Sequence, residues 1–295
     1  MTNIPRRTKT VLAVALMVSA CGPGGRSGTE SAIDASPGGG GGGDGPTGCG
    51  NLASCYSVYA HADHILYVVD LQAQTLITVG PFKAPTVGTT EDVITDLAVA
   101  PDNTIYVVSE TALYSASPTD GHVTRLGSLS ACGMRTVALT TTPDGKLWAG
   151  DFKGAVCEID IQVSPPQVKP PIMLTGGFAL TGDMVAVADG SVFGTAYKLS
   201  DAASQGSQAN NLLVKINLAT GAVTSVGPTG YPKLFGASFG LGTVMGFTHD
   251  GTGHVVKINP ATGAGTVLAT FIDPVTQMPI SFAGAGVSSL VPPIL

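Results

Sequence analysis

Four of the five histidines in this chain fall in two short stretches, His61-Ala62-Asp63-His64 and His249-Asp250-Gly251-Thr252-Gly253-His254. Imidazole and carboxylate together suit zinc or copper, so His61, His64, His249 and His254, with Asp63 or Asp250, form a candidate metal-ligand set. Solvated turns that happen to be rich in His and Asp would look the same in sequence. No other constellation signals chemistry. The nucleophile elbow G-x-S-x-G, the zinc helix H-E-x-x-H and the phosphate-cradling G-x-x-x-x-G-K-[ST] are all missing. No motif calls for a cofactor.

Cysteine offers a different chemistry. The segment MTNIPRRTKT is a basic leader, and VLAVALMV is an apolar run of about eight residues, far short of the roughly 20 that cross a bilayer. It runs into Val18-Ser19-Ala20-Cys21, which resembles the lipobox of bacterial lipoproteins. That resemblance implies a signal peptide over residues 1–20, and Cys21 acylated on its thiol and left as the new N-terminus. Gly22 is not the Asp that retains such proteins at the inner membrane, so an outer-membrane or surface location follows. An ordinary secretory signal with an incidental Cys is the alternative. Residues 22–48 hold six consecutive glycines and almost nothing to bury, so residues 21–48 read as a lipidated tether with an r.m.s. reach of roughly 30 Å.

Cys49, Cys55, Cys132 and Cys157 remain. An even count in an exported chain favours disulfides, and none of the four has the C-x-x-C spacing of a zinc site. Three pairings are open, of which the local one joins Cys49 to Cys55 and Cys132 to Cys157. Past the leader the chain carries 11 basic against 20 acidic residues, a net charge of −9. No nucleic-acid partner is expected of so acidic a chain, because phosphates need a basic face.

The elements that would position these groups are repeated. Of 295 residues 40 are Gly, 20 are Pro and only 12% are charged, a composition that suits β-strands joined by tight turns. The stretch K-I-N-x-A-T-G-A begins at Lys215 and again at Lys257. The same strand–turn–strand pattern recurs at residues 66–80 and 113–127 and, degraded, at 156–170. With Asp70, Ala116, Asp160, Asn217 and Asn259 equivalent, the spacings are 46, 44, 57 and 42 residues. A second hairpin precedes most copies, at 97–109, 138–150, 184–198 and 238–248, with Pro-Asp-Asn, Pro-Asp-Gly or Asp-Gly supplying the turn. Two hairpins per unit make a four-stranded antiparallel blade, and radial stacking buries faces that one blade would leave wet. The fold class is therefore all-β, a propeller over residues 49–295. The first blade lacks its innermost strand while SFAGAGVSSLV at 281–291 is left over. Closure by that C-terminal strand gives five blades, or six if residues 171–198 hide another.

P-D-[GN]-x-[IL]-[YW] in the first hairpin and I-N-x-A-T-G in the second resemble the broad superfamily of NHL-type and gluconolactonase-like propellers, over residues 56–291. The resemblance implies that the turns between second and third strands share one face around the channel, among them both histidine stretches, Ser109–Thr111, Asp151–Gly154 and the insertion at 200–211. Its gluconolactonase-like members imply a divalent cation in the channel that polarises a lactone carbonyl; Glu91, Asp92 and Asp96 would be the candidates. Trp148 reads as a blade-packing aromatic. Inner-strand candidates LAVA, VAVA and FAGAG suggest a channel plugged by small apolar residues. The expected function is therefore a cell-envelope lipoprotein, monomeric, held to the membrane through Cys21, whose propeller binds a protein, glycan or small ligand. The alternative is a metal-dependent hydrolase or lyase of the lactonase type.

Overall fold

The computed structural model describes residues 57–83, 93–133, 135–204 and 206–288. Cys21, Cys49, Cys55, Glu91 and Asp92 lie outside the described residues. Five antiparallel sheets form in chain order. The first blade holds β1 (Ser57–Ala62), β2 (Ile65–Asp70) and β3 (Thr75–Pro81), and the second β4 (Ile94–Val99), β5 (Ile105–Ser109), β6 (Ala112–Ala116) and β7 (Val123–Ser128). In the third, β8 (Thr136–Thr141), β9 (Leu147–Asp151) and β10 (Ala155–Asp160) are edged by two fragments, β11 (Gln167–Val168) and β12 (Ile172–Met173). The fourth holds β13 (Phe178–Ala186), β14 (Val192–Lys198), β15 (Asn210–Asn217) and β16 (Ala222–Pro232). The fifth holds β17 (Leu234–Gly240), β18 (Thr243–Thr248), β19 (His254–Ile258) and β20 (Gly265–Thr270). Then β21 (Gly284–Gly286) returns to pair with β1 as Tyr59↔Gly286, Ala60↔Ala285 and His61↔Gly284. The C-terminal strand closes the first blade and leaves the ring no broken sheet.

Among the described residues there is no sixth blade. The 57-residue interval has two sources. Pro165, Pro166, Pro170 and Pro171 cannot donate to a ladder, so the outer edge of the third blade survives only where β11 and β12 each pair with β10. Two 3₁₀ turns, Leu199–Ser204 and Gly206–Gln208, then lengthen the link between β14 and β15.

The five inner strands β21, β4, β8, β13 and β17 each touch the next around an axis. Strands alternate their side chains between two faces, and both faces of each blade are apolar, so the core consists of layers between blades. Leu66, Leu97, Val107 and Tyr114 fill the layer between the first and second blades, while Tyr67, Phe239, Phe247 and Phe282 fill that between the fifth and first. Each such Leu or Phe contributes about 1.5–3 kcal/mol by leaving water.

The repeated K-I-N-x-A-T-G specifies both a turn and a blade contact. Asn217 Oδ1 accepts the N–H groups of Ala219 and Thr220, and Asn259 Oδ1 those of Ala261 and Thr262. Gly221 and Gly263 adopt φ of 72° and 79°, which glycine alone adopts freely. A Cβ at Gly221 would also lie 2.3 Å from Met173 O, and one at Gly263 2.4 Å from Gly227 O, on the outer strand of the preceding blade. Strand direction sets which end of the ring each chain terminus meets. β1 runs toward the β1–β2 turn that carries Asp63 and His64, so Ser57 lies at the opposite face, and antiparallel β21 runs toward that same face.

Candidate functional site

The turns between second and third strands and the links between blades meet on one face, around a cavity of about 380 Å³ on the ring axis. Its floor is made by a repeated defect. The ladder between first and second strands shifts register between Ile94 and Asp96, between Thr136 and Ala138, between Leu180 and Met184, and between Leu234 and Gly236. Such bulges re-aim a side chain out of the pleat. The residues they release, Thr95, Val137, Thr181 and Phe235, all line the cavity, and Ala283 completes the ring just before β21. The fourth blade's bulge is the longest, and Gly182 within it lets the fifth blade close in: a Cβ there would lie 2.3 Å from Phe235 O.

The rim is aromatic with one full charge. Phe235 and His249 stack at 4.8 Å with 13° between their planes. His249 Nδ1 lies 3.1 Å from Phe282 O; a carbonyl only accepts, so Nδ1 carries a proton. Tyr197 donates its hydroxyl to Phe152 O at 3.0 Å, joining the fourth blade to the third. Arg135 stands beside them, its Nε 2.7 Å from Glu110 Oε1. Among the described residues no Asp or Glu lines the cavity. Thr181 is 6% exposed, and its hydroxyl has no hydrogen-bond partner in the structure.

Beneath the floor the channel is polar, a correction to the small apolar plug expected from LAVA, VAVA and FAGAG. Asp96 and Asp183 are fully buried. Each serves an amide on the inner strand of the following blade: Leu139 N–H donates to Asp96 Oδ2 at 2.7 Å, and Ala237 N–H to Asp183 Oδ2 at 2.8 Å. Inner-strand edges carry amides that no fifth strand can pair, which gives these carboxyls a structural task. Thr140 Oγ1 does likewise for Ala186 N–H at 3.0 Å. Burial first, and for Asp96 also the neighbouring Asp183 charge, hold both carboxyls well above the usual carboxylate range. His61 is also fully buried, and burial first, then the nearby His249, push it down to about 4. Its Nε2 and Asp96 Oδ1 both approach Gly284, where a Cβ would lie 2.7 Å and 2.4 Å from them.

The histidines divide. His61 faces the channel and His249 the rim, where a second groove of about 770 Å³, lined also by Asp63, His64 and Asp273, adjoins the cavity. His64 is exposed and pairs with Asp63 at 2.9 Å. His254 starts β19 opposite Thr270, and Asp250 caps its own turn by accepting from Thr252. Among the described residues no three His, Cys, Asp or Glu side chains converge to hold a metal ion. Of the carboxylates the gluconolactonase resemblance points to, Asp96 does reach the channel. Its Oδ2, however, and both oxygens of Asp183, already accept amide N–H groups, so the pair does not supply the several oxygen ligands a divalent cation takes. Trp148 packs between the third and fourth blades, 7% exposed. Cys132 and Cys157 are joined in a buried disulfide with Cα atoms 5.6 Å apart.

Asp183, Thr181, Phe235 and Arg135 are site residues that motif searching misses. One signal was present: D-L-A-V-A-P-D-N from Asp96 and D-M-V-A-V-A-D-G from Asp183 share an Asp six residues before the turn Asp.

Residues 118–279 match the model of a family described as "Repeat of unknown function (DUF6923)". No curated protein matches significantly. Among solved structures the chain is similar to a streptogramin B lyase, with 12% identity and a TM-score of 0.41 over 76% of this chain and 71% of that one. A gluconolactonase from Xanthomonas campestris gives 14% and 0.44 over 71% of each chain. The PQQ-bound aldose sugar dehydrogenase from Streptomyces coelicolor gives 15% and 0.42 over 60% of this chain and 63% of that one. Likenesses of this size bear on neither substrate nor mechanism.

Proposed function

We propose, from the premise that the chain belongs to the DUF6923 repeat family, whose model covers more than half of it, that it is an envelope-anchored propeller that binds a small ligand at its channel mouth. One observation carries this reading: four inner strands send a bulge residue into a single cavity at the same level, and Ala283, just before the fifth inner strand, completes the ring. Bulges placed in register around a ring serve a common centre. A cavity of about 380 Å³ lined by apolar, aromatic and polar side chains has the size and mixed character of small-molecule sites. The anchor rests on Val18-Ser19-Ala20-Cys21, and Gly22 supports an outer-membrane destination. The metal-dependent lactonase alternative finds no donor set among the described residues.

The test fills the mouth. Val137→Trp puts an indole where a bulge residue now projects into the cavity. Wild-type and variant chains, matched by thermal melting, are equilibrated with a small-molecule cell extract, and retained compounds are identified by mass spectrometry. Compounds held by the wild type and lost from the variant support the reading. A retained set that is the same for both chains refutes it.

A further inference from the structure

Resting on that reading, we propose that the mouth selects a monoanionic, largely apolar small molecule, with its carboxylate on Arg135 and its flat body against the Phe235–His249 wall. Three observations converge on this class. First, among the described residues Arg135 is the one Lys or Arg lining the cavity, and no described carboxylate lines it. A negative group entering there meets the guanidinium at the wall, with Glu110 as its partner outside the described lining. The cavity's other polar side chains, Thr95, Thr181, Tyr197, Gln208 and His249, do not supply a second cationic anchor of comparable permanence.

Second, the guanidinium is held but not consumed. Its Nε meets Glu110 Oε1, with the two side chains 54% and 49% exposed. Glu110 is itself fixed nearby, since its carbonyl accepts the N–H of Thr136, the residue after Arg135. An exposed pair of this kind is weak, since solvent screens it. The planar fork carries five N–H donors, so a ligand carboxylate has the Nη groups to pair with, in the geometry at which Arg exceeds Lys.

Third, much of the remaining wall is apolar and flat, and of its polar side chains Thr181 carries the buried hydroxyl that has no partner among the described residues. Val137, Leu180, Phe152 and the near-parallel Phe235 and His249 rings present apolar and flat surface. The Thr181 hydroxyl, buried and without a partner among the described residues, is destabilising while it stays unpaired. A ligand carrying one donor or acceptor away from its carboxylate removes that cost, whereas a wholly apolar one leaves it in place.

The experiment uses three probes of one shape on the full-length chain: 2-naphthoate, neutral 2-naphthamide and cationic 2-(aminomethyl)naphthalene, measured by calorimetry at pH 7.5. The expected result is that naphthoate binds at least tenfold more tightly than the amide, and that the amine is weakest. Arg135→Gln should abolish the acid-over-amide preference while leaving amide affinity within about twofold. Phe235→Ala should weaken acid and amide alike. Equal affinities for acid and amide, a preference that survives Arg135→Gln, or tightest binding of the amine would each overturn the proposal. So would failure of all three probes to bind the wild type, an outcome that leaves the mouth-filling test of the broader reading to stand or fall by itself.

Discussion

Asp96 and Asp183 are electrostatic neighbours inside the channel, both fully buried, although their strands belong to the second and fourth blades. Each reaches forward to an inner-strand amide of the following blade, Leu139 N–H for Asp96 and Ala237 N–H for Asp183. Two requirements therefore conflict at one place. The inner edges need acceptors, and carboxyls that supply them lose hydration and repel one another. The conflict is relieved by protonation, which gives the fold a dependence on pH.

Both Asp carboxyls keep their protons in the folded state above the pH at which an unfolded Asp releases them, near 3.9. Their contribution is full below that ordinary value and is lost as pH rises through the raised values. Asp96→Asn retains an acceptor for Leu139 N–H and cannot ionise. In that window the fall of stability with pH should shrink by about 1.4 kcal/mol per unit for the proton removed. Urea midpoints of both chains between pH 4 and 8 measure it; parallel curves would remove Asp96 from the linkage.

His61 acts in the opposite sense. Its folded pKa of about 4 lies below the ordinary 6.5, so its contribution is present above 6.5 and is lost as pH falls toward 4. The whole term is about 3 kcal/mol. His61→Gln should lose markedly less stability than the wild type on titration from pH 6.5 to 4. Because the Asp and His trends oppose each other there, Asp96→Asn should show a steeper acid-side loss than the parent chain.

Gly284 sits where the closing strand meets Asp96 and His61. A methyl at that position would lie 2.4 Å from Asp96 Oδ1 and 2.8 Å from Asp96 Cα. Gly284→Ala should cost about 1–3 kcal/mol by overpacking. At Gly127 the nearest atom to an added Cβ is Pro166 Cδ at 3.5 Å, an ordinary contact, so Gly127→Ala serves as the near-neutral control. Equal melting temperatures for the two variants would contradict the crowding argument.

The Cys132–Cys157 bridge closes a sequence separation of 25 residues and ties the link before β8 to β10 within the third blade. Chain entropy alone assigns such a loop about 3–4 kcal/mol. The double variant Cys132→Ala/Cys157→Ala should unfold at a correspondingly lower urea concentration. Reduction of the wild type should be slow while folded, since both cysteines are buried.

The anchoring proposal rests on one thiol. Cys21→Ser should move the chain from the membrane pellet to the soluble fraction of cells and stop incorporation of a labelled fatty acid. Labelling that persists in the variant would reject Cys21 as the acceptor.

The hairpins were legible because their information is local. Asp or Asn followed by small residues and a Gly names its turn, as Asn217 and Asn259 show, and the spacing of five such turns names the ring. The 57-residue interval was ambiguous because prolines in an edge strand and an inserted loop lengthen a chain as an extra hairpin would. The bulges were not legible: Thr95, Val137 and Phe235 are ordinary strand residues, and the register slip that turns them inward is set by pairing with β5, β9 and β18. Inner strands read as a plug for a related reason. LAVA and VAVA pack between blades, while the carboxyls just ahead of them, Asp96 and Asp183, are drawn in by amides that lie more than 40 residues away in sequence.

The direction of β1 has a consequence for the mouth. Ser57 lies on the face opposite the mouth, and β21 ends on that same far face. Both strands therefore meet their flanking chain on the far face, and neither crosses the opening that the bulges surround.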